Sequence, residues 1–336
     1  MSAPHVLQRL AATNPDGEIW FDSSPLIYPK WKESVLAKAP PTKRASWREQ
    51  LTRLFDREVV ARTGQIGFRG VTTKPPLSLG AIENDPAFWN ETIAAHLRAD
   101  LAASVEQVYW QTYLDVVRIG AAEIMPVYHA SGGRYGHLFG QVDPRFVTDR
   151  ARMLAQGLEL AEIAPNVMVK IPGSKEGYEV IEALTARGIS TNNTIAFTVS
   201  QYVACVQAVS RGLARGRAEG VDYTAWRSVI THMSARLGTQ GDLAAEAERR
   251  GAQLMAVEDD LDFDPGAIDE EAPPALIEKL RQLPYFRKAY DVDGMAPEDF
   301  SGFGAFAATA TEFAAATRKT VDVVARVVES RHGRAA

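Results

Sequence analysis

The stretch from Val167 to Phe197 constrains the fold more than any other part of the chain, because it reads as one complete supersecondary unit. Val167, Met168 and Val169 form a short apolar run of the kind found in buried strands, and Pro172, Gly173 and Ser174 turn the chain out of it. Glu176 to Arg187 carries apolar residues at helical spacing, with Ser174 positioned as its N-cap and Gly188 as its terminator. A second strand opens at Ile189 with the run STNNTIAF. Strand, helix and strand in this order make a βαβ unit, whose two strands run parallel and whose sheet is covered by helices.

Lys170 stands at the C-terminal end of the first of these strands. An ammonium group is costly to bury unless it is paired or gives up its proton. Burial lowers a lysine's pKa, which is what an amine needs to attack a carbonyl. The same place also suits a lysine that snorkels from a strand end towards a surface carboxylate. Near the N-terminus, Glu18 to Asp22 (EIWFD) reads as a strand broken by Ser23, Ser24 and Pro25. Asp22 at its end suits a turn-forming aspartate that bonds its own backbone.

The bulk numbers exclude several classes of function. With 336 residues and 46% hydrophobic content the chain can bury a large core. A net charge of -5 argues against a general binder of nucleic acid or of anionic membranes. The single cysteine, Cys205, rules out an intrachain disulfide and a cysteine-based zinc site. It lies in an apolar helical pattern and is read as core packing in a reducing, cytoplasmic setting. The N-terminus has no signal-peptide pattern, and no apolar run is long enough to span a bilayer. The six histidines show no metal-binding spacing, and no phosphate-cradling glycine motif is present.

The string KIPGSKEGYEVIEALTARGISTNNTIAFT closely resembles the signature region of the transaldolase family. The resemblance implies that Lys170 forms a Schiff base with a ketose and that Asn192 and Thr194 are the N-x-T of the following strand. It implies a proton-shuttling role for Asp22 at the end of the first strand. Gly70 to Ile82 (GVTTKPPLSLGAI) looks like the family's second strand, which makes Thr73 and Lys74 substrate-binding positions. Lys74 replaces the family's asparagine, and Pro76 its serine. A lysine offers only donors, on a longer and charged arm. HLFGQVDPRF, from His137, resembles the third strand, with Gln141 where the family usually has glutamate. A glutamine can position a water but cannot gain and release a proton. Fructose 6-phosphate aldolases, a branch of the same superfamily, carry a glutamine in a similar context, but their tyrosine on the sixth strand is Met233 here. In WRSVITHMSAR, Thr231 and Arg236 match the serine and arginine that the family turns to the substrate phosphate. Past Glu248 the likeness weakens. Glu258, Asp259 and Asp260 stand where many members carry a second phosphate-binding arginine, which leads to an expectation of weaker use of sugar phosphates.

Together these features predict an α/β fold, a single (β/α)8 TIM barrel over residues 18–336 after a lead-in of residues 1–17, closed by C-terminal helices. Two core-facing helices are expected over 84–120, with Tyr109, Trp110 and Tyr113 as packing. The resemblance implies a transaldolase-type transferase that makes or breaks a carbon–carbon bond of a keto sugar through Lys170, with Asp22 moving protons. Gln141 and Thr194 would hold the water, and Lys74, Thr73, Asn192, Thr231 and Arg236 would bind the substrate. Two alternatives stay open: a direct aldolase without obligatory transfer, and a barrel repurposed to bind a ligand. The expected partner is a small sugar or sugar phosphate, with no nucleic acid, membrane, metal or organic cofactor; a homodimer is compatible with this reading.

Overall fold

The computed structural model describes residues 6–14, 17–55, 67–233, 236 and 301–332. Strands β1 (Trp20–Phe21), β2 (Gly70–Thr73), β3 (His137–Gln141), β4 (Val167–Pro172), β5 (Thr191–Ala196) and β6 (Ser228–His232) form one sheet in that order. Every neighbouring pair is parallel. In a flat sheet, five interstrand steps would hold β1 and β6 about 24 Å apart. Glu18, just before β1, and Arg227, just before β6, instead form an ion pair at 2.6 Å. The sheet is therefore curled, as the strands of a (β/α)8 barrel are.

The helices are α1 (Val6–Thr13), α2 (Tyr28–Lys38), α3 (Pro41–Leu54), α4 (Pro75–Asn84), α5 (Pro86–Ala99), α6 (Val105–Ala130), α7 (Arg150–Ile163), α8 (Lys175–Thr185), α9 (Val199–Ala218) and α10 (Ser301–His332). The expected βαβ unit is β4, α8 and β5, and Ser174 caps α8 by accepting from the Gly177 N–H at 3.0 Å. β4 is buried along its whole length. Val169 and Ile171 pack with Leu160 of α7 and Val180, Ile181 and Leu184 of α8, while Lys170 alternates to the other face. Cys205 of α9 belongs to the same core.

Some boundaries differ from the sequence expectation. Only Trp20 and Phe21 of EIWFD pair as a strand, because the Ser23 N–H bonds back to the Phe21 carbonyl at 2.8 Å and turns the chain. The two helices expected over 84–120 are α5 and α6, but α6 runs on through Pro126 to Ala130, since Ile124 and Val127 continue its buried stripe. The sixth strand, expected over residues 228–234, pairs only from Ser228 to His232. The closing helix begins at Ser301 and packs across α4, α5 and α6. Its Phe313 is buried with Ile195 and Phe197 at the end of β5, which brings the neighbouring Glu312 to the C-terminal edge of the sheet. The expected strands seven and eight (ERRGAQLMAV and DEEAPPALIEKL), the acidic run from Glu258 to Asp264 and the far end of the helix expected over Ser46 to Arg62 lie outside the described residues. Among the described residues no helix is long and apolar enough to cross a membrane.

Candidate active site

The register of the sheet sets Gln141, Lys170 and Asn192 side by side on β3, β4 and β5. Lys170 is only 3% exposed. Burial lowers its pKa from 10.5 to about 7, helped by the positive charge of Lys74 and opposed by the carboxylate of Asp22. Its Nζ lies 5.5 Å from the centre of the Phe139 ring and has no hydrogen-bond partner among the described residues. The side-chain carbonyl oxygens of Gln141 and Asn192 are buried and also unpartnered among the described residues. A buried acceptor without a donor costs about 1–3 kcal/mol, so these two oxygens are free acceptors on the strands flanking Lys170, although neither residue lines the cavity that Lys170 shares. The Asn192 amide nitrogen donates to the Thr231 hydroxyl at 2.7 Å, fixing both side chains.

Asp22, Thr72 and Lys74 form the second half of the site. The Thr72 hydroxyl donates to Asp22 Oδ1 at 2.5 Å, and Lys74 Nζ donates to both carboxylate oxygens at 3.2 Å. The Asp22 side chain is exposed; the protein beside it would raise its pKa, but the charge of Lys74, the hydrogen bonds from Thr72 and Lys74 and the more distant Lys170 outweigh that and lower it. The carboxylate is thus held ionised. Thr73, expected to bind substrate, is not part of this lining. Strand alternation turns it to the helix side, and Thr72 takes the inward place.

Tyr113 of α6, expected only to pack, ties the strand ends together. Its hydroxyl donates to the Thr73 carbonyl at 3.1 Å and accepts the Gln141 N–H at 2.8 Å. Nothing in a helical run of aromatics distinguishes such a tyrosine from core filling.

Asp22, Lys74, Lys170, Thr231 and Arg236 line one cavity of about 700 Å³ that runs along the inner face of the sheet from Glu18 and Arg227, before β1 and β6, to the C-terminal strand ends. Thr194 is buried one step further along β5, opposite Pro172, with its hydroxyl 3.9 Å from the Met233 sulfur, and does not line that cavity. The next residue, Ile195, has φ of 58°, a strained conformation for a β-branched side chain. It lies in an irregularity of the β5–β6 register between Asn193 and Ala196. Gln201 of α9 holds the kink, donating to the Ile195 carbonyl at 3.0 Å and the Gly173 carbonyl at 2.9 Å. Arg236 reaches the cavity, but Glu312 of α10 grips its guanidinium with both carboxylate oxygens, one at 2.9 Å. A separate groove of about 580 Å³ between α7, α8 and α9 is lined by paired charges such as Arg150 with Glu179 and holds no comparable nucleophile. Among the described residues no cluster of histidine, cysteine, aspartate and glutamate could hold a metal ion.

Residues 55–255 match the family model described as transaldolase/fructose-6-phosphate aldolase, a span that includes Lys170 and Arg236 but neither Asp22 nor Glu312. Transaldolase 1 of Streptomyces avermitilis is 35% identical over 175 residues, covering 52% of this chain and 46% of that protein. The transaldolase of Thiobacillus denitrificans is 29% identical over 209 residues, covering 61% and 56%. That of Thermobifida fusca is 30% identical over 202 residues, covering 59% and 54%. The chain spans about half the length of the curated relatives it matches. With more than half of its residues inside the family model and a buried lysine at the end of β4, the chain belongs to the transaldolase/fructose-6-phosphate aldolase family.

Proposed function

We propose that this chain carries out Schiff-base aldol chemistry of the transaldolase type on a keto sugar or a related carbonyl compound. The observation that carries the proposal is Lys170: a buried amine whose pKa falls to about 7, at a strand end, in a cavity shared with an ionised aspartate. At neutral pH about half of it is the free amine that a nucleophile must be. Its Nζ adds to the carbonyl carbon, and the carbonyl oxygen leaves as water to give an iminium. Asp22 takes the proton of the β-hydroxyl. That oxygen closes to an aldehyde as the carbon–carbon electron pair moves into the iminium, which becomes an enamine on Lys170. Addition of the enamine to a second aldehyde, with Asp22 returning its proton to the new hydroxyl, regenerates an iminium, and its hydrolysis by water releases the product and frees Lys170, completing a transfer.

A direct aldolase is the second reading, and Gln141 favours it. Its amide lies across from Lys170 and can hold the water that hydrolyses the imine, without the proton exchange that a glutamate would add. Thr194, one step along β5, would join it only if the Met233 contact were exchanged for the water. In either reading Asn192 and Thr231 would hold substrate hydroxyls, and the chemistry calls for no metal or organic cofactor. A cytoplasmic enzyme of sugar metabolism fits the lone buried cysteine.

The test is to reduce the protein with borohydride in the presence of candidate ketoses and to map the adduct by mass spectrometry. A label on Lys170 is expected. A label on Lys74 with Lys170 unmodified would reverse the assignment, and no adduct with any carbonyl would leave a ligand-binding barrel. Release of aldehyde without an acceptor separates the aldolase from the transferase.

A further inference from the structure

The charges around the Lys170 cavity follow a pattern that neither family membership nor the motifs account for. Among the described residues, three lysine and arginine side chains other than Lys170 line it: Lys74, Arg227 and Arg236. Each forms an ion pair with a carboxylate. Lys74 holds Asp22 at 3.2 Å, and Arg227 holds Glu18 at 2.6 Å from the floor of the cavity. Arg236 is gripped by Glu312 with both donors of its guanidinium fork. A bidentate carboxylate uses the same planar fork that would otherwise receive a phosphate. Among the described residues, each of these three cations therefore already faces a carboxylate before an anion arrives.

We propose that Glu312 is a specificity-determining residue that closes Arg236 to phosphate, so that the cavity takes an uncharged carbonyl substrate such as a free ketose. The inference rests on the Schiff-base reading for its chemistry but not for its electrostatics. A phosphate ester carries about -1.5 to -2 charges at neutral pH. To bind at Arg236 it must displace a carboxylate with which it also repels. Lys170 adds little to offset this, since its own buried amine is only half protonated near pH 7. The walls beside the amine are aromatic, with Trp20 stacked on Phe139 at 4.5 Å, and suit the face of a neutral polyhydroxy chain better than a dianion.

Two measurements test this on the full chain. Inorganic phosphate is titrated calorimetrically into the wild type, Glu312→Gln, Glu312→Ala and the double variant Glu312→Gln/Arg236→Ala. Separately, borohydride-trapped adduct at Lys170 is compared for fructose and fructose 6-phosphate. The freed guanidinium should tighten phosphate binding at least about tenfold in both single variants, the scale of one charge-assisted hydrogen bond. The double variant should lose that gain, and the ratio of fructose 6-phosphate to fructose adduct should rise by a similar factor in Glu312→Gln. Either of two results overturns the proposal: a wild type that already favours fructose 6-phosphate tenfold and loses the preference in Arg236→Ala, or Glu312 variants with unchanged phosphate affinity. Absence of any Lys170 adduct would refute the Schiff-base reading alone, because the phosphate titration still decides the role of Glu312.

Discussion

Replacing Lys170 by methionine should make the protein more stable, and the gain should depend on pH in a way that only a neutralised buried amine produces. The lysine's pKa is 10.5 in the ordinary environment and about 7 in the fold. That difference corresponds to about 5 kcal/mol between protonation states. Because the folded pKa is the depressed one, the unfolded chain binds more protons between pH 7 and 10.5, and wild-type stability rises with pH across that window. Below pH 7 both states are protonated and the full cost is present; at pH 7 about 4 kcal/mol remains, and by pH 9.5 about 1 kcal/mol. Methionine has a similar unbranched shape and no charge to desolvate. Urea unfolding of both proteins in matched buffers, followed by circular dichroism, should therefore show the variant ahead near pH 7. The gap should narrow by about 3 kcal/mol on going to pH 9.5. Groups common to both proteins cancel in the difference. A gap that stays constant across this range would mean that Lys170 titrates like a surface lysine, and the case for its nucleophilicity would fall with it.

Three further outcomes follow from the same geometry. Asp22→Asn should lower turnover by on the order of two or more decades while a reduced adduct at Lys170 stays detectable; unimpaired turnover would demote Asp22 to a turn residue. Lys74→Met removes a charge that depresses the Lys170 pKa, so the low-pH limb of adduct formation, followed as trapping rate against pH, should move to higher pH. An unmoved limb would show that burial alone sets that pKa. Tyr113→Phe should cost about 1–3 kcal/mol in urea unfolding by orphaning the Gln141 N–H and the Thr73 carbonyl; a neutral result would mean that no such bridge ties β2 to β3.

What was legible in the sequence was local or periodic. The run around Lys170 announced its strand, cap and helix because each depends on residues within one turn of one another, and the parallel sheet follows from that βαβ order. Strand alternation was equally available for Thr72 and Thr73, yet the resemblance pointed to Thr73 without saying which of the two faces inward. Only the pairing of Thr72 with Asp22 resolves it. The roles of Tyr113 and Glu312 were not legible. Tyr113 looks like any core aromatic until its hydroxyl is seen between two strands, and Glu312 lies 76 residues from Arg236 in a helix whose spacing records only what it buries. The bend at Ile195 was hidden for a related reason: a β-branched residue at φ 58° contradicts its own propensity, and the hydrogen bonds from Gln201 hold it there.

Lys74 links these charges into one device. The resemblance places an asparagine at that position, and an amide there could bond Asp22 but would add no charge. A cation instead acts on two groups at once and in the same direction. It lowers the pKa of Asp22, which keeps the carboxylate ionised, and it lowers the pKa of Lys170, which keeps the amine neutral. Schiff-base aldol chemistry needs both deprotonated forms at one pH, the base to take the hydroxyl proton and the amine to attack the carbonyl. Asp22 works against half of this arrangement, since its negative charge favours the protonated form of Lys170. By forming hydrogen bonds to both of its oxygens, Lys74 offsets the opposing influence at its source. The same pairing leaves Lys74 committed, so under the proposed chemistry a cation that elsewhere would draw an anionic substrate would here serve the base and the amine.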